Sequence, residues 1–336
     1  MKEPKKTKDF KIEDQTIDSV LRPENWDDYI GQDKVKKNLR LMIEAARMRE
    51  EPIDHLLFYG QTGLGKTTLA KLVGRELGRN VKTTSGPAVE RIGDLAAILS
   101  NLEPYDILFI DEAHRLNRAI EETLYPALES RELHIVIGKG VGARTVSLAL
   151  PPFTMIGATT RLDLISAPLR SRFGATFRLD YYDEADIEKI INRSAKLLGV
   201  KINPDAANIL ATASRFTPRI ANRLLKRARD YANVAGDDLI TKDIAEKTLE
   251  LLDVDRLGLE VHDRLLLSAI INRFNGGPVG INNLAAALNE DSSIIENVYE
   301  PYLIKIGLLK RTSAGRMVGD SAWKHLDIKP AKDKLI

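Results

Sequence analysis

Eight consecutive residues constrain this chain more than any other feature. Gly60-Gln-Thr-Gly63-Leu-Gly65-Lys66-Thr67 reads G-x-x-x-x-G-K-[ST]. The apolar run His55–Tyr59 before it reads as a buried strand, and Lys66–Leu77 after it reads as a helix. That strand–turn–helix order is what a phosphate cradle requires. Glycines let successive backbone N–H groups curl around an anion, and the helix N-terminus adds its positive end. In such a cradle Lys66 reaches the β- and γ-phosphates of a nucleoside triphosphate, and the Thr67 hydroxyl ligates Mg²⁺. Gly63, Gly65 and Thr68 are expected among the nucleotide contacts.

Leu108-Phe-Ile110-Asp111-Glu112 supplies the complementary half. A buried strand ending in two acids presents Asp111 to hold Mg²⁺ and Glu112 to polarise an attacking water as general base. The pairing of cradle and acids predicts an ATP hydrolase that uses ATP and Mg²⁺.

The surrounding chain alternates short apolar strands with helical stretches, the pattern of an α/β domain built on a mostly parallel sheet. Asp106–Ile110 and Phe153–Ile156 read as further buried strands. Leu133–Ile137 and Thr145–Leu150 flank the glycine-rich Gly138-Lys-Gly-Val-Gly142, a hairpin signal with a long tip. After Tyr182 the strands stop, and Asp183–Leu252 reads as helical. Asp253–Glu260 reads as a linker. Helices over Arg264–Phe274, Asn283–Leu288 and Ser293–Ile306, then strand–turn–strand over Leu308–Val318, outline a winged helix. The expected organisation is a basic tail over 1–17, a large ATPase domain over 18–182, a small all-helical lid over 183–254 and a winged-helix domain over 255–336.

Composition narrows the chemistry. The chain has no cysteine, so disulfides, thiolate metal sites and Cys nucleophiles are excluded. Its five histidines are scattered without metal-site spacing. No apolar run is long enough to span a bilayer, and the lysine-rich N-terminus lacks the apolar core of a secretory signal, so a cytoplasmic location is expected. Formal net charge is only +2. Yet Arg215–Arg229 and Lys305–Arg316 contain basic residues and no acid, so each is either a phosphate-facing surface or an ordinary solvated helix face.

Beyond the nucleotide motifs the chain resembles the AAA+ ATPases. Gly157-Ala-Thr-Thr160-Arg161 is similar to their sensor 1 segment, with Thr160 as the polar side chain near the γ-phosphate. Pro168-Leu-Arg170-Ser-Arg172-Phe173 is similar to the arginine-finger segment, and Thr217-Pro-Arg219 to sensor 2. An in-trans finger implies a ring, and such fingers contribute roughly 10³–10⁵ in rate. Asp111-Glu-Ala-His114 also spells the box of two-lobed helicases. Those proteins need a second lobe with a Gln-Arg-x-Gly-Arg motif, which this chain lacks.

Several segments resemble the RuvB family of Holliday-junction branch-migration motors in particular. They are Leu21-Arg-Pro23, Asp28-Tyr-Ile-Gly-Gln32, Thr83–Pro87, Gly93–Ala97, Phe109–Asn117, Ile137–Gly140, Gly276–Gly280 and Glu300–Leu303, and the resemblance runs over about residues 18–326. It implies that Leu21, Arg22, Tyr29, Ile30 and Tyr182 line the nucleotide. Glu129-Ser130-Arg131 would lie at the nucleotide edge facing a neighbour, and Arg172 would be the in-trans finger. Arg311 and Arg316 on the wing would touch DNA phosphates. The hairpin over 132–150 would dock a RuvA-like junction-binding partner. The implied function is a homo-hexameric motor on duplex DNA that drives branch migration in recombination and repair.

The chain departs from that family at four places. Gln61-Thr62 stands for Pro-Pro, Ala113 for a larger apolar residue, Phe216 for the glycine before Thr-Pro-Arg, and Ser313-Ala314 for Pro-Arg. The competing class is a loader or timed switch of the origin-initiator kind, which also joins an AAA+ core to a winged helix. A clamp-loader subunit is third, and it would lack the winged helix.

Overall fold

The computed structural model describes residues 19–137 and 144–328. The expected basic tail and the hairpin tip at Gly138–Gly142 lie outside them. By packing, the chain forms two compact units. One runs to Leu198 and includes Thr217–Asn222; the other comprises Gly199–Phe216 and the chain from Arg223 onward.

The first unit is built on five parallel strands: β1 (Leu56–Tyr59), β2 (Val81–Ser85), β3 (Ile107–Asp111), β6 (Thr154–Thr159) and β7 (Ala175–Arg178), in the order β2-β3-β6-β1-β7. The inner strands are mostly apolar because helices cover both faces of a parallel sheet. Every residue of β6 is buried, and the polar Thr154 is accommodated by donating its hydroxyl to Ile53 O at 2.6 Å. β2 and β7, which the apolar-run signal does not mark, are the two edges, and both carry exposed residues. One core cluster joins Leu57, Leu108, Ile110 and Met155 to Leu95, Leu124 and Leu169 from the covering helices. β4 (Glu132–Ile137) and β5 (Arg144–Ala149) form the antiparallel hairpin, and the side chains of β5 are exposed.

All five parallel strands end on one edge, so the segments after β1, β3 and β6 converge there, as ligand-binding segments do in open α/β sheets. The helix Lys66–Leu77 starts directly after the loop that leaves β1.

The second unit holds the helices Pro204–Thr212 and Lys242–Leu251 and a winged helix. A two-residue parallel ladder, β8 (Lys201–Ile202) with β9 (Leu239–Ile240), adds to the helical reading of this region. Each strand feeds a helix capped by its next residue, Asn203 or Thr241. Two residues are too short for a period-2 signal. In the winged helix, Val261–Phe274, Ile281–Leu288 and the helical run from Ser292 to Lys305 pack around Leu266, Ile270, Leu284, Ile295 and Leu303. The hairpin β10 (Leu309–Thr312) and β11 (Gly315–Val318) closes it, with Val279 bridging to Arg316.

The run expected as a single helix over Ser293–Ile306 differs in one respect: Ile295–Tyr299 is π-helical. Pro301 explains this, because its ring displaces the carbonyl four residues back and it offers no N–H to the ladder.

Candidate functional site

Lys66 is the most constrained charge at the sheet edge. It is 8% exposed, and its Nζ donates to Gly60 O and Gln61 O at 2.8 Å each. Burial pushes its pKa down to about 8, opposed by Asp111 and reinforced by Arg219. The ammonium is therefore held inside the loop by two carbonyls, in a place where a bound anion would be welcome.

Thr67 donates its hydroxyl to Asp111 Oδ2 at 3.0 Å, and Asp111 Oδ1 accepts the Glu112 backbone N–H at 2.9 Å. Glu112 adopts a left-handed conformation (φ 48°) and faces solvent, where Arg115 pairs with it at 3.2 Å. Thr159 ends β6 buried. Its hydroxyl meets His114 Nδ1 at 3.0 Å and accepts the Arg161 N–H at 2.9 Å. That contact fixes the turn from which Thr160 projects. Burial lowers the His114 pKa.

Six of these residues, Lys66, Thr67, Asp111, Glu112, Thr159 and Thr160, border a cavity of about 380 Å³. Lys66, Thr67, Thr68, Gly63, Gly65, Asp111, Glu112, Thr160, Leu21, Arg22, Tyr29, Ile30, Tyr182 and Arg219 all line it. The structure brings these fourteen sequence-selected residues together. Arg219 also donates to Thr62 Oγ1 at 3.2 Å, so one of the substituted loop residues carries a polar contact.

Two observations suit the cavity to a phosphorylated ligand. A Cβ on Gly65 (φ +96°) would stand 2.9 Å from the Tyr29 hydroxyl, and one on Gly63 (φ +80°) 3.0 Å from Arg219 Cβ, so only glycine leaves the loop's backbone N–H groups open. The buried Tyr29 hydroxyl itself makes no hydrogen bond. Burial and the neighbouring Tyr182 raise its pKa, and Tyr182 is pushed up to about 12, chiefly by burial, so both phenols are neutral.

Sequence reasoning did not select Asp28, Arg193 and Asn222, which also line the cavity. Arg193 pairs with Asp28 at 3.5 Å and donates to Leu21 O at 2.9 Å, and Asn222 accepts from Ser194 at 2.7 Å. Arg193 and Asn222 sit on helices with ordinary spacing, so no local signal marks them, whereas Asp28 lies in the turn that opens the Asp28–Gln32 segment.

The remaining candidates lie elsewhere. Arg172 does not border the cavity. It pairs with Glu129 at 2.9 Å, donates to Pro168 O at 2.6 Å and lies 4.4 Å over the Tyr125 ring. Ser130 donates to Pro126 O at 2.9 Å, and Arg131 is exposed with φ 58°.

In the second unit, Arg311 and Arg316 are register partners across the wing hairpin. Both pair with Glu300, which is fully buried, and with Glu296. Arg316 is 8% exposed, whereas the Arg311 side chain is 47% exposed. Arginines of both acid-free basic runs are thus matched by acids from elsewhere in the unit. Arg215 pairs with Asp263 at 2.9 Å and Arg223 with Glu260 at 2.8 Å.

A parallel sheet with this loop, this acid pair and a separate winged helix defines a P-loop ATPase of the AAA+ type. Family models agree along the chain. Residues 21–179 match the Holliday junction DNA helicase RuvB P-loop domain, 182–255 the RuvB AAA lid domain, and 256–327 the RuvB C-terminal winged helix domain. The chain belongs to the RuvB family. It is 54% identical over 322 residues to the Holliday junction branch migration complex subunit RuvB of Dehalococcoides mccartyi, covering 96% of this chain and 92% of that one. It is 55% identical over 316 residues to the corresponding subunit of Chloroflexus aggregans, covering 94% and 90%. Among solved structures, the RuvB Holliday junction branch migration motor of Thermotoga maritima superposes with a TM-score of 0.83 at 48% identity, covering 92% of this chain and 99% of that one. No helix among the described residues is long and apolar enough to cross a membrane.

Proposed function

We propose that this chain is the motor subunit of a homo-hexameric ring that encircles duplex DNA and drives Holliday-junction branch migration with a RuvA-like partner, in recombination and repair in the cytoplasm. The observation that carries the ring is the location of Arg172. The finger-segment arginine is held against Glu129 and Tyr125, away from the cavity of its own chain. The finger arginine that adds to Lys66 and Arg219 at the γ-phosphate then comes from a neighbour.

At the reacting end, Lys66 exchanges its two carbonyl acceptors for the β- and γ-phosphates. Thr67 and Asp111 form an all-oxygen donor pair that suits Mg²⁺, which would supply charge neutralisation on the phosphates. Glu112 takes the proton of the attacking water. Its present pairing with Arg115 is an exposed ion pair, worth about 0–1 kcal/mol, so turning inward costs little. Thr160 helps place that water, and Arg219 senses the γ-phosphate. Leu21, Arg22, Tyr29, Ile30 and Tyr182 enclose the base, and Glu129, Ser130 and Arg131 face the neighbour's nucleotide edge. The domains serving these roles are 18–182, 183–254 and 255–336.

On the DNA side the half-exposed Arg311 contacts phosphate directly, while Arg316 must first release Glu296 and Glu300. Backbone contact carries no sequence information, so binding is sequence-independent and salt-sensitive. The β4–β5 hairpin, with Val146 and Leu148 exposed, supports docking of the RuvA-like partner there.

The deciding experiment mixes two inactive variants, Arg172→Ala and Lys66→Ala, and measures ATP turnover with and without duplex DNA. Recovered turnover in the mixture establishes the finger in trans. Normal turnover by Arg172→Ala alone, or a native chain that DNA never stimulates, would favour the initiator-like switch.

A further inference from the structure

The guanidinium of Arg172 is held from three directions. Nη2 pairs with Glu129 Oε1 at 2.9 Å, Nη1 donates to Pro168 O at 2.6 Å, and the whole group lies 4.4 Å over the Tyr125 ring. Its Nε is buried and makes no hydrogen bond with any described residue. The two ends of the ion pair differ in surroundings: the Arg172 side chain is 19% exposed and that of Glu129 is 60% exposed.

Tyr125 is itself a fixed platform. It sits in the helix Arg118–Glu129, half-buried against the core cluster that contains Leu124 and Leu128. Its hydroxyl meets Ser166 Oγ at 3.0 Å. Ser166 caps the helix Ala167–Arg170, which leads to Arg172, and accepts the Leu169 N–H at 3.3 Å. The ring thus supports the guanidinium while the hydroxyl grips the start of the segment that carries it. Neither Tyr125 nor Ser166 lines the nucleotide cavity of its own chain.

These contacts differ in what they leave open to an anion. Glu129 takes an in-plane N–H donor, which is where a phosphate oxygen would bind. The Tyr125 ring meets the face of the guanidinium, where there is no donor to block. An incoming phosphate can displace the exposed carboxylate at small cost while the ring stays in place. We propose that Tyr125 is the positioning residue of the arginine finger. Its ring keeps the Arg172 guanidinium oriented when Glu129 gives way to the neighbouring chain's γ-phosphate. The inference rests on the reading of Arg172 as an in-trans finger. Tyr125 acts through Arg172 and touches no nucleotide itself.

The test uses the full chain with duplex DNA and compares native protein with Tyr125→Phe and Tyr125→Leu. Phenylalanine keeps the ring, whereas leucine keeps apolar bulk and helix propensity without an aromatic face. Tyr125→Leu should lower kcat by about tenfold or more, because a loosely held guanidinium loses its orientation. Its KM for ATP and its ADP affinity should stay within about twofold of native, since its own cavity is intact. Tyr125→Phe should keep kcat within about threefold. Both variants should melt cooperatively. Mixing then locates the defect. Lys66→Ala chains, whose fingers are native, should restore turnover at the sound cavities of Tyr125→Leu, and Arg172→Ala chains should not. In one chain, Tyr125→Leu combined with Arg172→Ala should turn over as Arg172→Ala does alone, since the ring has nothing left to position.

Native turnover by Tyr125→Leu overturns the proposal, as does a loss in Tyr125→Phe equal to that with leucine. So does a further loss in the double variant, which would place the ring's effect outside Arg172. Lys66→Ala chains that rescue Arg172→Ala but not Tyr125→Leu would make the tyrosine a merely structural residue. If Lys66→Ala chains rescue neither, the in-trans reading fails instead, and the double variant still decides whether Tyr125 acts through Arg172.

Discussion

The Thr67 hydroxyl donates to Asp111 Oδ2 across 3.0 Å, joining the residue after the cradle lysine to the end of a strand 44 residues further on. The ladder β1–β6–β3 makes that meeting, because parallel strands deliver their carboxyl ends to one edge. Two oxygens from different segments, both on residues lining the cavity, are of the chemical type that a hard divalent cation takes.

Removing either oxygen should therefore act on metal use. Thr67→Val and Asp111→Asn are each expected to lower Mg²⁺-dependent ATP turnover by about 10²-fold or more. ADP binding measured without Mg²⁺ should stay near native. Turnover that tracks native across a Mg²⁺ titration would remove this pair from the metal site.

The buried Lys66 gives a pH dependence with a definite sign. Its pKa falls from 10.5 in an unfolded chain to about 8 in the ligand-free fold. Between those values the folded protein has shed a proton that the unfolded chain keeps, so this group's contribution to stability rises with pH through that window. Triphosphate binding favours the charged form. Nucleotide affinity should accordingly weaken above about pH 8, approaching tenfold per unit, with proton uptake on binding. Calorimetry in buffers of different ionisation heat should register that uptake near pH 9 and almost none at pH 6.5. Equal heats in all buffers at pH 9 would contradict it.

The wing separates a structural arginine from an available one. Glu300→Ala leaves Arg316 buried without its main partner, and should cost about 3–5 kcal/mol in denaturant unfolding. Arg311→Ala removes a half-exposed charge and should hardly change stability. It should weaken duplex binding and reduce the salt slope by about one. Equal stability losses for the two variants would deny the distinction.

Gly65→Ala puts a Cβ 2.9 Å from the Tyr29 hydroxyl at φ +96°. Nucleotide affinity should fall by at least about tenfold, in line with strain of 1–3 kcal/mol at such a backbone. Gly280→Ala, where a Cβ meets nothing within 4 Å, should bind nucleotide as the native chain does. Matched affinities for the two variants would show that the loop does not need its left-handed glycine.

Much of the first unit was legible because its signals are contiguous. The loop Gly60–Thr67 carries its own backbone requirements, and the inner strands announce themselves as unbroken apolar runs. The edges β2 and β7 escaped for the complementary reason. One face of an edge strand meets solvent, so Val81–Ser85 and Ala175–Arg178 mix polar and apolar residues. The π-helical turn at Ile295–Tyr299 depends on how a proline is absorbed within a packed helix, which spacing alone does not reveal.

The charged runs teach the same lesson from the other side. Lys305–Arg316 contains no acid, yet Glu296 and Glu300 neutralise its two arginines from the preceding helical run. Asp263 and Glu260 do so for Arg215 and Arg223. Arg193 and Asn222 reach the cavity from helices whose spacing is unremarkable.

By itself, then, the sequence determined the phosphate-cradling loop, the acids that end β3 and the winged-helix outline, because each is set by neighbours along the chain. Only the tertiary structure decided which charges are paired, where Arg172 rests, and that Arg215 meets Asp263. Those outcomes depend on partners distant in the chain, whose approach is fixed by burial and close packing rather than by local backbone preference.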